Sequence, residues 1–315
     1  MKFLDWLLFS RGAEGSIDAS SEPERAEDLL ARVRAIELKA RRLVDANFLG
    51  EYRSVFRGLG LEFDELRPYV PGDDVRSIDW NTYARTRQPM VRIYREDRDL
   101  TVLFAVDASA SQREGVNEQA KSDLVAELCA VLALAAVRNN DRVGLLLFAS
   151  QAERYVRPAS GTRHVLRVVR EVLTAKPQTS GTDIGAALSY VTGIHQRRAT
   201  LFILSDFLAE GYERSLRAAA KRFQVVAIRV RDPIDEQLPD AGIVRVRNAE
   251  TGTEVLVDTS SSTVRDTYAA RVKQLDRSRE RLFGELGIDE IPVQVGEDYV
   301  GALLRFFKRK AASVA

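Results

Sequence analysis

The chain of 315 residues is 45% hydrophobic and 30% charged, enough apolar material for a sizeable core in a large α/β domain with an addition. Its 47 Lys and Arg balance 46 Asp and Glu, so a net charge near +1 offers no global field to attract nucleic acid. A single cysteine excludes an intramolecular disulfide and any multi-cysteine metal site, and no apolar run is long enough for a transmembrane helix.

The first residues, MKFLDWLLFSRG, join a lysine to a short apolar core that Asp5 interrupts, and no small-residue cleavage site comes after it. They read as a frayed or partner-packed terminus, or as a short amphipathic segment in peripheral membrane contact, rather than as a signal peptide. Small, polar and acidic residues come next, so 1–24 is set apart as a flexible segment. From about Pro23 the pattern turns helical, with Leu29, Leu30, Val33, Ile36, Leu38 and Leu43 among charges, and the helix is expected to end before Gly50. Residues 50–100 mix aromatics, Val, Ile and Arg with turn signals at Gly58, Gly60 and Pro71-Gly72-Asp73-Asp74, and QPMVRIYRE alternates as a strand. The stretch 25–100 is therefore a helix plus a small β-rich module packed on the larger domain downstream.

That module carries Glu62, Glu65, Arg67, Tyr69, Asp73, Asp74, Arg76, Asp79 and Trp80. They form a docking surface, a hydrolytic carboxylate pair, or an Arg–carboxylate network that shapes an irregular loop. The network is preferred over catalysis, because no nucleophile or base can be argued here. A docking role stays open.

From Thr101 the alternation is regular: strand TVLFAVD, helix from about Val116 to Asn139, strand RVGLLLFAS, and an edge strand ERYVRP that Pro158 ends. Cys129 lies within that first helix, in LVAELCAVLALAAV, and reads as an inert core thiol in a reducing, cytoplasmic setting. A helix at about 163–173, a loop opening a helix to about His195, strand ATLFILSD, a helix near 212–223 and strand QVVAIRV complete the alternation. The fold class is α/β, a doubly wound, mainly parallel sheet over 101–310. To it are added a hairpin near 242–258, a charged helix from about Ser261 to Leu286, strand IPVQV, and a last helix ending in LLRFFKRK. The basic end of that helix suits a solvated C-terminus.

Asp107, Ser109 and Ser111 leave the end of TVLFAVD at i, i+2 and i+4, a set of hard oxygen donors where open α/β sheets bind ligands. Alone, the pattern reads equally as a magnesium site or as a helix cap. ATLFILSD ends in Asp206 after an apolar run of the same kind, and TSGTDIG offers Thr182 and Asp183 at a helix start. Three oxygen-bearing loops at the carboxyl ends of one sheet favour a divalent cation, Mg²⁺ or Mn²⁺.

Asp107-Ala-Ser109-Ala-Ser111, Thr182 within SGTDI, and Asp206 after LFILS resemble the metal-ion-dependent adhesion site of the von Willebrand factor A domain. One departure is Phe207, where many members of that family have Gly. Upstream, GLGLEFDELRPYVPGDDVRSIDWNTYAR resembles the signature of the bacterial domain of unknown function 58, which precedes such an A-type domain. The resemblance implies a von Willebrand factor A-like fold and a metal held by Asp107, Ser109, Ser111, Thr182 and Asp206. A partner's Asp or Glu would complete the metal shell, and a MoxR-type AAA+ ATPase is the implied partner. The expectation is thus a metal-dependent protein-interaction module, an adaptor rather than an enzyme. The alternative is a Mg²⁺-dependent phosphoryl transferase or hydrolase, for which the same carboxylates would serve. Against it, Ser109 stands where an aspartate-based phosphatase needs its second Asp, and no P-loop or G-x-S-x-G motif exists. His164 and His195 are expected on the surface, away from the site.

Overall fold

The computed structural model describes residues 26–45, 50, 52, 55, 61–96, 100–109, 118–232, 237–247 and 254–314. The buried apolar runs form the strands of a six-stranded sheet: β3 (Thr101–Asp107), β4 (Arg142–Phe148), β5 (Ala152–Ala159), β6 (Thr200–Ser205), β7 (Gln224–Arg231) and β10 (Asp289–Gln294). Their order is β10-β7-β6-β3-β4-β5, parallel throughout except for the edge strand β5, which runs antiparallel to β4. β3 and β6 are apolar on both faces because both are covered by helices. The architecture is the expected doubly wound, mainly parallel α/β sheet.

Period-two alternation sends successive residues of β3 to opposite cores. Val102, Phe104 and Val106 face one core with α1 (Ala26–Leu43), α3 (Glu118–Arg138), α4 (Thr162–Leu173) and α8 (Tyr299–Val314). Leu103 and Ala105 face the other with α5 (Ile184–Ile194), α6 (Glu213–Arg222) and α7 (Ser262–Leu286). Cys129 is fully buried on α3, and burial pushes its thiol well above the usual range, as an inert core residue requires.

Upstream of the sheet, β1 (Leu61–Pro68) pairs antiparallel with β2 (Met90–Glu96), and α2 (Trp80–Thr86) lies in the connection. Within it Arg67 grips Asp73 through two bonds of 2.7 and 2.6 Å, and Arg92 lies 3.1 Å from Asp79. These ion pairs are the Arg–carboxylate network expected for this loop; the side chain of Glu62 is outside the described residues. A second hairpin pairs β8 (Ile243–Arg247) with β9 (Glu254–Asp258) and packs Val257 against Tyr268 and Val272 of α7. The turn expected at Thr251-Gly252 is outside the described residues.

Three local expectations are corrected. Pro158 does not end β5, which continues to Ala159; a proline is tolerated because β5 is an edge strand. Its ring sits over Gly144, where an added Cβ would come within 3.0 Å of Pro158 and 2.8 Å of Leu103. The last helix does not stop at KRK but runs to Val314. His164 and His195 are half-buried rather than on the surface: the His164 Nε2 lies 2.8 Å from the Val143 carbonyl, and His195 closes α5. Among the described residues, no helix is long and apolar enough to cross a membrane.

Candidate metal centre

Parallel pairing decides which strand ends meet. Val106 is level with Leu204 and Asp107 with Phe148, so the carboxyl ends of β6, β3 and β4 lie side by side. Asp107 is the last residue of β3 and Asp206 comes directly after the last residue of β6, both nearly buried at 5% and 6% exposure. Ser109 is fully buried, and its backbone N–H donates to Asp107 Oδ1 at 3.0 Å. Ser205, which no sequence motif marks, donates its hydroxyl to Asp107 Oδ2 at 2.8 Å and accepts the Phe207 N–H at 3.1 Å. Asp206 Oδ1 accepts the Leu208 N–H at 3.1 Å. Each carboxylate is therefore oriented by its own loop before any ligand arrives.

The third loop reaches the same end of β4. Ala108 N–H donates to Phe148 O at 2.8 Å and Asp183 N–H donates to Ala149 O at 2.9 Å, so the loops after β3 and before α5 are fixed to adjacent carbonyls. Glu153 holds the middle of this third loop by accepting from Gln178 N at 2.7 Å and from Thr179 N and Oγ1 at 3.0 Å. Gly181 takes φ 94°, open to glycine at no steric cost, just before Thr182. Thr182 is half-buried beside this junction, and Asp183 caps α5 by accepting from Ala186 N at 2.8 Å. Asp183 is thus used as a helix cap. Ser111 lies outside the described residues.

Phe207 answers the departure noted at that position. It adopts φ 57°, the left-handed region where glycine is easier, yet its ring is buried at 5.4 Å from Phe283 and 6.3 Å from Tyr212. The loop after β6 thereby turns as it would with glycine, held instead by aromatic packing onto α7.

The electrostatics arise from burial. The Asp107 carboxyl is pushed up to about 6, first by desolvation and then by the charge of Asp206, while hydrogen bonds from Ser109 and Ser205 act in the opposite direction. Two carboxylates with hydroxyls beside them, enclosed and close enough to repel, form a hard-oxygen set that a divalent cation would neutralise. The donors fit Mg²⁺ or Mn²⁺ by chemistry: all are oxygen and none is thiolate or imidazole. Among the described residues no group of three or more His, Cys, Asp or Glu side chains is gathered where it could hold a metal ion, so the candidate centre rests on two carboxylates and on hydroxyls.

A family model described as protein of unknown function DUF58 matches residues 65–278. The uncharacterized protein Rv1480 of Mycobacterium tuberculosis is 32% identical over 283 residues, covering 88% of both chains. Among solved structures, the conserved hypothetical protein BatB from Bacteroides thetaiotaomicron has a TM-score of 0.42 at 20% identity, over 68% of this chain and 99% of that one. The SpRpn10 VWA domain has a TM-score of 0.37 at 9% identity, over 66% of this chain and 94% of that one.

Proposed function

The chain belongs to the DUF58 family, and from that premise we propose that it is a metal-dependent protein-interaction module whose site is completed by a partner's Asp or Glu. The observation that supports the reading is that the strand ends carrying Asp107 and Asp206 lie side by side, with the loop that contains Thr182 tied through the Asp183 N–H to Ala149 after the neighbouring strand. Asp107, Ser109, Ser111, Thr182 and Asp206 would hold Mg²⁺ or Mn²⁺. When bound, such an ion with a water position to spare supplies residual positive charge for an incoming carboxylate. Asp107 and Ser109 lie inside a hydrogen-bonded corner and would act as fixed donors, and the half-burial of Thr182 supports a contact that changes with the partner. The family resemblance makes a MoxR-type AAA+ ATPase, or its client, the partner to look for, and an adaptor in the cytoplasm the role. A transferase or hydrolase is the less favoured reading, because Ser109 occupies the place of a phosphatase's second Asp.

The test joins metal and partner binding. Titration calorimetry of the full chain with Mn²⁺ and Mg²⁺ is expected to show one site that Asp107→Asn and Asp206→Asn weaken. Capture of a MoxR-type ATPase on the tagged chain is expected in Mg²⁺ and lost in EDTA. Capture undiminished in EDTA and with Asp107→Asn removes the metal from the mechanism. Metal-dependent phosphatase turnover abolished by Asp107→Asn replaces the adaptor with an enzyme.

A further inference from the structure

The metal centre does not account for the tip of the β1–β2 hairpin. Four of the ten exposed large apolar side chains among the described residues fall between residues 70 and 83: Val70, Val75, Trp80 and Tyr83. That concentration, in a tip of about twenty residues, differs from the scattered single apolar residues of an ordinary surface. Trp80 is 58% exposed and stands edge-on to Tyr83 with ring centroids 6.0 Å apart, so the two present one aromatic surface.

Nothing in the local structure needs that exposure, because the tip is already held from within. Tyr69 N–H donates to Pro89 O at 3.0 Å, and Asp79 N–H donates to Met90 O at 2.8 Å. Asp73 is occupied by Arg67 and by the Val70 N–H, and Asp79 by Arg92 and the first turn of α2. These bonds hold both carboxyls low, at about 2, so the pairs stay ionised and the tip stays shaped at any working pH. A rigid surface loses little entropy on binding.

With Asp73 and Asp79 matched internally, Arg76, Arg85 and Arg87 remain exposed and make no ion pair with a carboxylate among the described residues. Arginine, tryptophan and tyrosine are the residues that dominate binding energy at protein interfaces. We propose that this tip is a second docking surface, which binds an acidic, apolar peptide segment of a partner protein. The segment's apolar side chains seat against Trp80 and Tyr83, and its carboxylates against Arg76, Arg85 and Arg87. Asp74 is exposed two residues before Arg76 and opposes a continuous phosphate backbone, whereas separate carboxylates can be spaced around it. The hairpin β1–β2 is a sheet of its own and shares no strand with the one that carries Asp107, and the proposal takes this surface as independent of the metal.

Fluorescence anisotropy with the full chain tests this, using three labelled twelve-residue peptides with Leu and Phe at fixed positions and Glu, Gln or Lys elsewhere. The Glu peptide is expected to bind best, the Gln peptide ~10-fold more weakly and the Lys peptide least. Trp80→Ala, and separately the triple variant Arg76→Gln, Arg85→Gln and Arg87→Gln, should each weaken the Glu peptide ~10-fold with unchanged circular dichroism. EDTA should leave binding unchanged and added salt should weaken it. Equal binding of the three peptides, unchanged affinity in both variants, no binding at millimolar peptide, or loss in EDTA each overturns the proposal. Tighter binding of a mixed-sequence oligonucleotide that depends on Trp80 overturns it in favour of nucleic acid.

Discussion

The Ser205 hydroxyl donates to Asp107 Oδ2 at 2.8 Å, joining the ends of two adjacent parallel strands at the candidate metal centre. Ser205 lies far from the D-x-S-x-S motif in sequence; 98 residues separate it from Asp107. Its hydroxyl has a double use, because it also accepts the Phe207 N–H and so shapes the turn that carries Asp206.

Ser205→Ala should therefore damage the site without destroying the fold. The buried Phe207 N–H loses its acceptor, which costs about 1–3 kcal/mol. Mn²⁺ affinity should fall about 10- to 100-fold, the usual effect of removing a group that orients a metal ligand. Calorimetric titration and a urea melt read the two effects separately. Unchanged Mn²⁺ affinity would show that Ser205 serves the fold alone.

Asp107→Asn should stabilise the protein in EDTA while weakening metal binding. Asp107 titrates near 6 in the fold, above its unfolded value, so the native state holds a proton that the unfolded chain has already released. Its charge thus costs stability above pH 6, and that cost is relieved as pH falls from 6 towards 4. The neutral amide should gain about 1–3 kcal/mol at pH 7.5 and little at pH 4. Thermal melts of both proteins at the two pH values check the sign; a variant less stable at pH 7.5 would contradict it.

At Phe207 two effects compete. Replacing it with glycine relieves the left-handed backbone by about 1–2 kcal/mol but removes a buried ring, which costs about 3–5 kcal/mol or slightly more without a Cβ. The packing term wins, so Phe207→Gly should be destabilised by about 2–4 kcal/mol in chemical unfolding. A neutral or stabilising result would mean that backbone strain dominates.

A buried charge cluster ties α7 to the sheet. Asp276 accepts from Arg229 and Arg279 at 2.5 Å each, and Arg279 also reaches Glu290 at 3.3 Å, with both arginines almost fully buried. Asp276→Ala leaves two buried cations facing one another and should cost about 3–5 kcal/mol. Glu285→Ala, which breaks the exposed pair with Arg217, should move the unfolding midpoint little. Equal effects from the two substitutions would remove the special role of the cluster.

Tyr52 makes a different long-range tie. Its phenol is buried and donates to Asp141 Oδ2 at 3.0 Å, while its ring lies 6.0 Å from Phe307. Tyr52→Phe keeps the ring packing and removes one bond to a buried carboxylate, at a cost of about 1–3 kcal/mol. A stability equal to wild type would mean that the other partners of Asp141, Asn139 among them, satisfy it without the phenol.

The sequence by itself determined the sheet and the edge that carries the site. Strand character is written in single segments: five apolar residues before Asp107 and four before Ser205-Asp206 mark buried strands, and each carboxylate is placed by where its run stops. That local signal is why Asp107, Ser109, Ser111 and Asp206 could be named as candidates from residues alone, while the loop TSGTDIG offered Thr182 and Asp183 and the resemblance singled out Thr182. Only the tertiary structure decided what lies between segments. Ser205 became an orienting partner because parallel register sets β6 beside β3. Likewise Arg229 and Asp276, 47 residues apart, and Tyr52 and Asp141, 89 apart, meet only through the order of strands and the helices laid on them. Periodicity reports how one element divides its faces. Which element covers each face depends on strand order and register, and these set the neighbours of every buried polar group.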